Sequence, residues 1–277
     1  VKARCIGVAG QKDARAVTTQ MVSVQGVTPE QVRRLGCDGQ ILSVTVLGRH
    51  RNRLRLGHHA GNRFRVVIRN VEPHATAIVP AILAELARRG VPNYFGPQRQ
   101  GRQGSNYEVG AALLADARRR SRLPRAKRLW YIGAYQAMVF NRVVAKRIER
   151  IDRILVGDWA MKHANGACFL VEDAAAEQPR ADAFEISPTG ILFGSRVPWA
   201  SGEPGEIERM AAAEYNATPE SLRAAAKACG FRGERRPLRV KLKDLEWSLS
   251  GRVLTVSFTL PPGSYATSML RELMKTD

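Results

Sequence analysis

Acidic residues are scarce in this chain, and its most basic stretch has none. Against 44 Lys and Arg there are only 25 Asp and Glu, a formal net charge of +19 over 277 residues. From Arg49 to Arg69 stand seven arginines (49, 51, 53, 55, 63, 65 and 69) and three histidines (50, 58 and 59), with no Asp or Glu among them. An arginine-rich proteome would spread such residues over solvated faces, but clustering favours a polyanionic partner through long-range attraction and counterion release. Nucleic acid is the first candidate. Cysteine is sparse as well: Cys5, Cys37, Cys168 and Cys229 are widely scattered without a Cys-x-x-Cys spacing, which excludes a cysteine zinc site and a disulfide framework and suits a reducing cytoplasm. No metal is expected at His58-His59 either, because adjacent imidazoles on a strand point to opposite faces and no carboxylate or thiol accompanies them. No apolar run approaches the roughly 20 residues that span a bilayer, so no membrane association is expected. Nor does a signal-peptide core open the chain. Val1 already stands inside a strand-like run, from which a missing upstream segment is expected.

At this length two structural units are expected, one of them inserted in the other. Cys5 to Ala9 and Met21 to Val24 read as short strands around a turn, and Ile41 to Leu47 and Phe64 to Ile68 as strands flanking the arginine-rich segment. A helix is predicted over Ala77 to Arg89, ended by Gly90 and Pro92. Ser105 to Glu149 is helical in pattern, with Trp130, Tyr131, Ala134, Met138 and Val139 as an apolar stripe expected to face the core. Ala167 to Val171 reads as a strand and Ser187-Pro188-Thr189-Gly190 as a turn. Helices are predicted over Pro204 to Tyr215 and Pro219 to Cys229, the latter closed by Gly230. A charged bridge from Arg232 to Arg236 then leads to strands at Leu238 to Leu242 and Val253 to Leu260.

Three segments carry the chemistry. Gly10 to Gln20 sets Asp13 between Lys12 and Arg15 on a predicted turn facing a cleft; alone, such a Lys-Asp pair is ordinarily a surface pair or an Asx-turn. The spacing of two in Arg49, Arg51, Arg53 and Arg55 would put four guanidiniums on one side of an extended segment, suiting a row of phosphates. Val91 to Arg99 is too rich in Pro and Gly for a regular element and holds two aromatics beside an amide and a guanidinium.

Taken together, four stretches resemble the TruD family of tRNA pseudouridine synthases. They are Gly10-x-Lys12-Asp13-x-x-Ala16-x-Thr18-x-Gln20, Gly57-His58-x-x-Gly61-Asn62-x-Phe64, Pro92-Asn93-Tyr94-Phe95-Gly96-x-Gln98-Arg99, and Pro262-Gly263-Ser264-Tyr265-Ala266-Thr267-x-x-Leu270-Arg271-Glu272. Ile186-Ser187-Pro188-Thr189-Gly190-x-Leu192-Phe193-Gly194 is a weaker fifth echo. The resemblance implies an α/β (α+β) catalytic domain with a mixed, mainly antiparallel sheet, formed by residues 1–101 and 232–277 and interrupted by an inserted α/β domain at 102–231. It also implies that an N-terminal segment of the catalytic domain is absent. The implied activity is isomerisation of a uridine, at position 13 of the tRNA D-arm in bacterial relatives, by a carboxylate identified as Asp13, with no cofactor.

By the same resemblance Lys12, Asn62, Phe64, Asn93, Phe95, Gln98 and Arg99 are substrate-binding residues. Phe64 would stack on the flipped base, and Asn62, two residues earlier on one strand face, would meet the uracil edge. Arg53, Arg55 and Arg63 are expected on the RNA backbone. Tyr265 and Arg271 are expected to be structural or at the pocket rim. One of His58 and His59 is expected to pack or meet a phosphate, and the other to face solvent. The partner implied is tRNA or another structured RNA, bound by a monomer. The alternative is a non-catalytic RNA-binding remnant that keeps the basic cleft. A DNA-binding protein, whose charge merely reads phosphates, would tolerate Asp13→Asn.

Overall fold

A computed structural model describes residues 2–13, 16–34, 43–116, 118–119 and 122–275. The contacts divide the chain into two compact units, Val1–Asn62 and Arg63–Asp277.

In the first unit, a 3-10 turn at Ala3–Cys5 leads into β1 (Ile6–Val8), which pairs antiparallel with β2 (Val22–Val24) in the register Ile6 to Val24. A single-turn helix α1 (Pro29–Arg33) follows; Thr28 and Gln31 form a reciprocal capping box at its start. Residues 43–50 hold no regular element. The strand expected over Ile41 to Leu47 is therefore not formed in its described part, residues 43–47, while Ile41 and Leu42 lie outside the described residues. No strand among the described residues pairs with 43–47, and the apolar Leu47 is 75% exposed.

The second unit begins in β3 (Asn62–Arg69), whose strict alternation of half-buried and exposed residues puts Phe64, Val66 and Ile68 on one face. Helix α2 (Pro73–Arg89) ends at Gly90, whose φ of 87° suits glycine and where a Cβ would meet Val240 O at 2.8 Å. That close approach lets β4 (Val91–Pro92) pair antiparallel with β9 (Arg239–Val240). Beyond β4 come a 3-10 turn at Pro97–Gln100, α3 (Asn106–Ala115) and the long α4 (Arg125–Arg147). Pro124 stands directly before α4 as its N-cap, so the predicted helical stretch is interrupted there.

Strands β5 (Trp159–Lys162), β6 (Cys168–Leu170), β7 (Ile186–Leu192) and β8 (Glu234–Pro237) form a four-stranded sheet in the order β6-β5-β7-β8. Helices α5 (Ala174–Asp182), α6 (Gly202–Ala213) and α7 (Pro219–Cys229) complete this part. The turn expected at Ser187-Pro188-Thr189-Gly190 is instead the middle of β7, buried along its whole length. The reason lies in the pairing. β5 pairs residues 186–188 and β8 pairs residues 189–192, so Pro188 sits where one ladder gives way to the other. A missing N–H is tolerated there, and Pro188 O still accepts from Leu238 N at 2.9 Å. Finally β10 (Lys243–Ser250) and β11 (Val253–Leu260) pair antiparallel and, with β3, make the order β10-β11-β3; α8 (Ala266–Met274) closes the described chain.

Three apolar clusters hold the second unit. One gathers Val79, Leu83, Leu86, Val240, Val256, Phe258, Met269 and Leu273, with Phe64 packed against it. Another joins Ile132, Tyr135, Val139 and Phe140 of α4 to Ile191, Phe193, Ala211 and Leu222. A small third cluster lies among β5, β7 and α5. Of the stripe expected of α4, Ala134 and Val139 are buried and Tyr131 and Met138 half-buried, whereas Trp130 is 49% exposed; Ile132, Tyr135 and Phe140 complete the core face. No helix among the described residues is long and apolar enough to cross a membrane.

Candidate functional site

In the first unit the arginine-rich segment lies alongside β1 because residue 7 has no side chain. A Cβ on Gly7 would stand 2.5 Å from Leu54 O and from Ser23 Oγ, and 2.7 Å from Arg53 Cγ. Three hydrogen bonds fix the segment: Gly57 N to Ala9 O at 2.8 Å, Leu54 N to Ser23 Oγ at 2.9 Å and Arg53 Nη2 to Ile6 O at 2.6 Å. Between them opens a cleft of about 710 Å³, lined among others by Gln11, Gln25, Arg51, Arg53 and Arg55 and, among the described residues, by no acid. The segment is not a regular strand, so the expected row of four guanidiniums reduces to three around a cleft. Arg53 spends one donor on Ile6 O and keeps the rest of its fork, as a phosphate contact would require.

Lys12 and Asn62, fifty residues apart in sequence, meet directly. Lys12 Nζ donates to Asn62 Oδ1 at 3.0 Å, and Asn62 Nδ2 lies 3.4 Å from His59 Nε2. His59 is half-buried and thus packs, while His58 is exposed. Asp13 follows Lys12 on an exposed, irregular segment, and among the described residues its carboxylate makes no hydrogen bond or ion pair. Arg15, the second cation flanking Asp13 in sequence, lies outside the described residues. The arrangement leaves a free carboxylate next to an ammonium that a distant amide holds in place.

In the second unit Phe64 is half-buried and stacks on Phe258, ring centroids 5.5 Å apart. Arg63, on the opposite, exposed face of β3, pairs with Glu246 at 3.2 Å. The segment after β4 is held from several sides. Asn93 is 4% exposed; its Nδ2 donates to Pro237 O at 2.9 Å and its Oδ1 accepts from Arg236 Nη2 at 2.6 Å, so both ends of the amide are engaged internally. Phe95 lies edge-on to Phe140 and to Tyr265, and the Arg236 guanidinium sits 4.1 Å above its ring. Gln98 is exposed on the 3-10 turn. Arg99 reaches α4 and stacks over Trp130 at 4.8 Å. Tyr265 thus packs on the loop, and Arg271 lies over the Tyr94 ring at 5.4 Å.

Two residues that sequence reasoning passed over organise this loop. Asn141 on α4 accepts from Phe95 N at 2.8 Å and donates to Phe95 O at 3.0 Å, closing both backbone groups of that residue. Arg236 joins Asn93 to Gly263 O, 3.0 Å away, and so links the third motif to the fourth. Burial, with repulsion from Arg99 as a lesser cause, brings the Arg236 guanidinium down to about 10, although Tyr265 and Glu234 oppose the shift. Neither had a signal of its own: Arg236 is one of many arginines in a charged run, and Asn141 interrupts an otherwise helical pattern.

The family model for tRNA pseudouridine synthase D (TruD) matches residues 1–121 and 116–273. The chain is 41% identical over 334 aligned residues to the tRNA pseudouridine synthase D of Geobacter metallireducens, covering 98% of this chain and 82% of that one. It is 43% identical over 277 residues to the tRNA pseudouridine synthase D of Thermus thermophilus, covering 98% and 74%. A crystal structure from Methanosarcina mazei, of a protein provisionally assigned as tRNA pseudouridine synthase D (TruD), superposes with a TM-score of 0.83 over 100% of this chain and 82% of that one. At 24% identity that likeness shows the fold alone.

Proposed function

The chain belongs to the TruD family of tRNA pseudouridine synthases, and on that premise we propose that it isomerises uridine 13 of the tRNA D-arm with the carboxylate of Asp13. The observation that carries this reading is the hydrogen bond from Lys12 to Asn62. It joins the residue preceding Asp13 to the residue that begins β3, and so brings Lys12 of the first motif onto Asn62 of the second within the first unit.

The reaction breaks the N1–C1′ bond, turns the uracil and joins C5 to C1′; the proton lost from C5 is matched by the one N1 gains. Nothing is oxidised and no phosphate is cleaved, so the chemistry calls for no redox cofactor. What it calls for is an ionised carboxylate, acting as a nucleophile at the sugar or the base or as the base of a glycal route, and a pocket that retains the detached uracil. Asp13 is the carboxylate. Asn62 reads the uracil edge, and Phe64, backed by Phe258, supplies a face for the unstacked base. Arg53 and Arg55 take phosphates in the acid-free cleft. Asn93 and Phe95 act by shaping the loop, since their polar groups are engaged within the protein.

For the proposed catalytic domain of residues 1–101 and 232–277 with an insertion at 102–231, the apolar clusters support the division within the second unit. One draws its buried members from 71–91 and 240–273, and another takes nearly all of its own from 114–222. The test is incubation of the chain with unmodified transcripts of several tRNAs, followed by chemical mapping of pseudouridine. Product at uridine 13 is expected; no product, or product only elsewhere, overturns the assignment.

A further inference from the structure

On α4 the aromatic residue nearest the start of the helix is turned outward. Trp130 is 49% exposed, although an indole contributes most to stability when it is buried. It does not stand alone, because the Arg99 guanidinium lies 4.8 Å from the centre of its ring. That guanidinium is seated against the helix backbone: a Cβ at Gly133, one turn further along α4, would fall 2.1 Å from Arg99 Nη2. Its Nε is buried with no hydrogen-bond acceptor, and no carboxylate pairs with it among the described residues.

The flanking residues point the same way. The first turn of α4 contains Arg125 and Lys127 and no acid, and all 23 residues of the helix lack a carboxylate. Cations at a helix N-terminus oppose the macrodipole, a cost that a bound polyanion removes. Pro124 offers no side-chain cap to the first N–H groups.

We propose that Trp130 and Arg99 form a nucleotide subsite on this helix, where an unpaired RNA base stacks on the indole and its phosphate pairs with the guanidinium, while Arg125 and Lys127 follow the backbone. The subsite rests on the reading that the partner is RNA. It adds a contact apart from the one that takes the target uridine. Stacking on an aromatic side chain is sequence-tolerant, so the subsite would strengthen binding to a folded RNA rather than select the base that reacts.

The test measures RNA affinity, its salt dependence and pseudouridine formation for the wild type, Trp130→Ala, Trp130→Phe and the double variant Arg125→Gln/Lys127→Gln, all with one tRNA transcript. Trp130→Ala should weaken binding about five- to a hundred-and-fiftyfold, as expected for loss of one base–aromatic stack, and the loss should appear in KM rather than kcat. Trp130→Phe should restore most of it. The double variant should lower the slope of log K against log salt by about 1.4 to 1.8. Wild-type affinity and KM in Trp130→Ala, or equal losses in the Ala and Phe variants, would overturn the subsite. If the wild type forms no pseudouridine but Trp130→Ala still loses affinity that Phe restores, the function assigned to Asp13 fails and the subsite stands. A wild type that binds no RNA overturns both.

Discussion

Replacing Asn141 by alanine should loosen the loop that carries Asn93, Phe95, Gln98 and Arg99 without substituting any of them. Asn141 closes both backbone groups of Phe95, with bonds of 2.8 and 3.0 Å. Alanine removes the two bonds and leaves the Phe95 N–H and C=O to find other partners. A buried backbone group left unpaired costs about 1–3 kcal/mol. Phe95 is half-buried, so water can reach part of that site and the sum should fall at about 2–4 kcal/mol. At roughly 2–4 °C per kcal/mol for a chain of this size, the thermal midpoint should drop by about 5–15 °C. Asn141→Asp is the informative companion: it keeps the acceptor for Phe95 N but sets a carboxylate against Phe95 O, and should recover little. Thermal unfolding of the three proteins, with kcat/KM measured well below the lowest midpoint, reads both effects. A midpoint within about 1 °C of wild type for Asn141→Ala would refute the reasoning, because the clamp would then contribute nothing that water does not supply.

Two further perturbations test other parts of the account. Gly7→Ala places a methyl group 2.5 Å from Leu54 O, so segment 53–57 must move off β1 at a cost of about 1–3 kcal/mol for overpacking; faster hydrogen exchange at the Leu54 and Gly57 amides is expected, and unchanged protection would contradict it. Burial, and then Arg239, Lys241 and Lys243, hold the His163 imidazole below its ordinary 6.5, and its Nε2 lies 2.9 Å from the buried Ser187 Oγ. The unfolded chain therefore takes up this proton first as pH falls below about 6.5, and native stability should decline from there toward the lower folded value. His163→Gln should flatten the decline between pH 7 and 5, and an unchanged pH dependence would contradict the assignment.

The parts of the fold that were legible are those where local pattern and tertiary packing agree. β11 and α7 coincide with the predicted spans, the latter because Thr218 caps its start and Gly230, at φ 72°, ends it. Where the two disagree, packing decides. Ser187-Pro188-Thr189-Gly190 has turn composition but is a buried strand, since the sheet changes partners at Pro188. β10 alternates Leu245, Trp247 and Leu249 with polar residues, a strand pattern that the sequence reading passed over; its ladder shifts register after Lys243, and only Leu245 and Leu249 pack on a core. α8 follows directly on the Pro-Gly-Ser-Tyr motif and buries only Ser268, Met269 and Leu273, too brief a pattern to stand out. Within the candidate site, the first two motifs single out Lys12 and Asn62, which do meet. The residues that brace the Asn93 to Arg99 loop were invisible, because Asn141 and Arg236 act on it from 46 and 143 positions away.

The most direct test of the account is Asp13→Asn, with tRNA affinity and pseudouridine formation measured on the same preparation. Asp13 is exposed and unpaired among the described residues, so the amide should leave the fold and RNA binding close to wild type while abolishing product. Retained turnover in the variant would contradict the central claim, because the carboxylate that drives the isomerisation would then lie elsewhere in the chain.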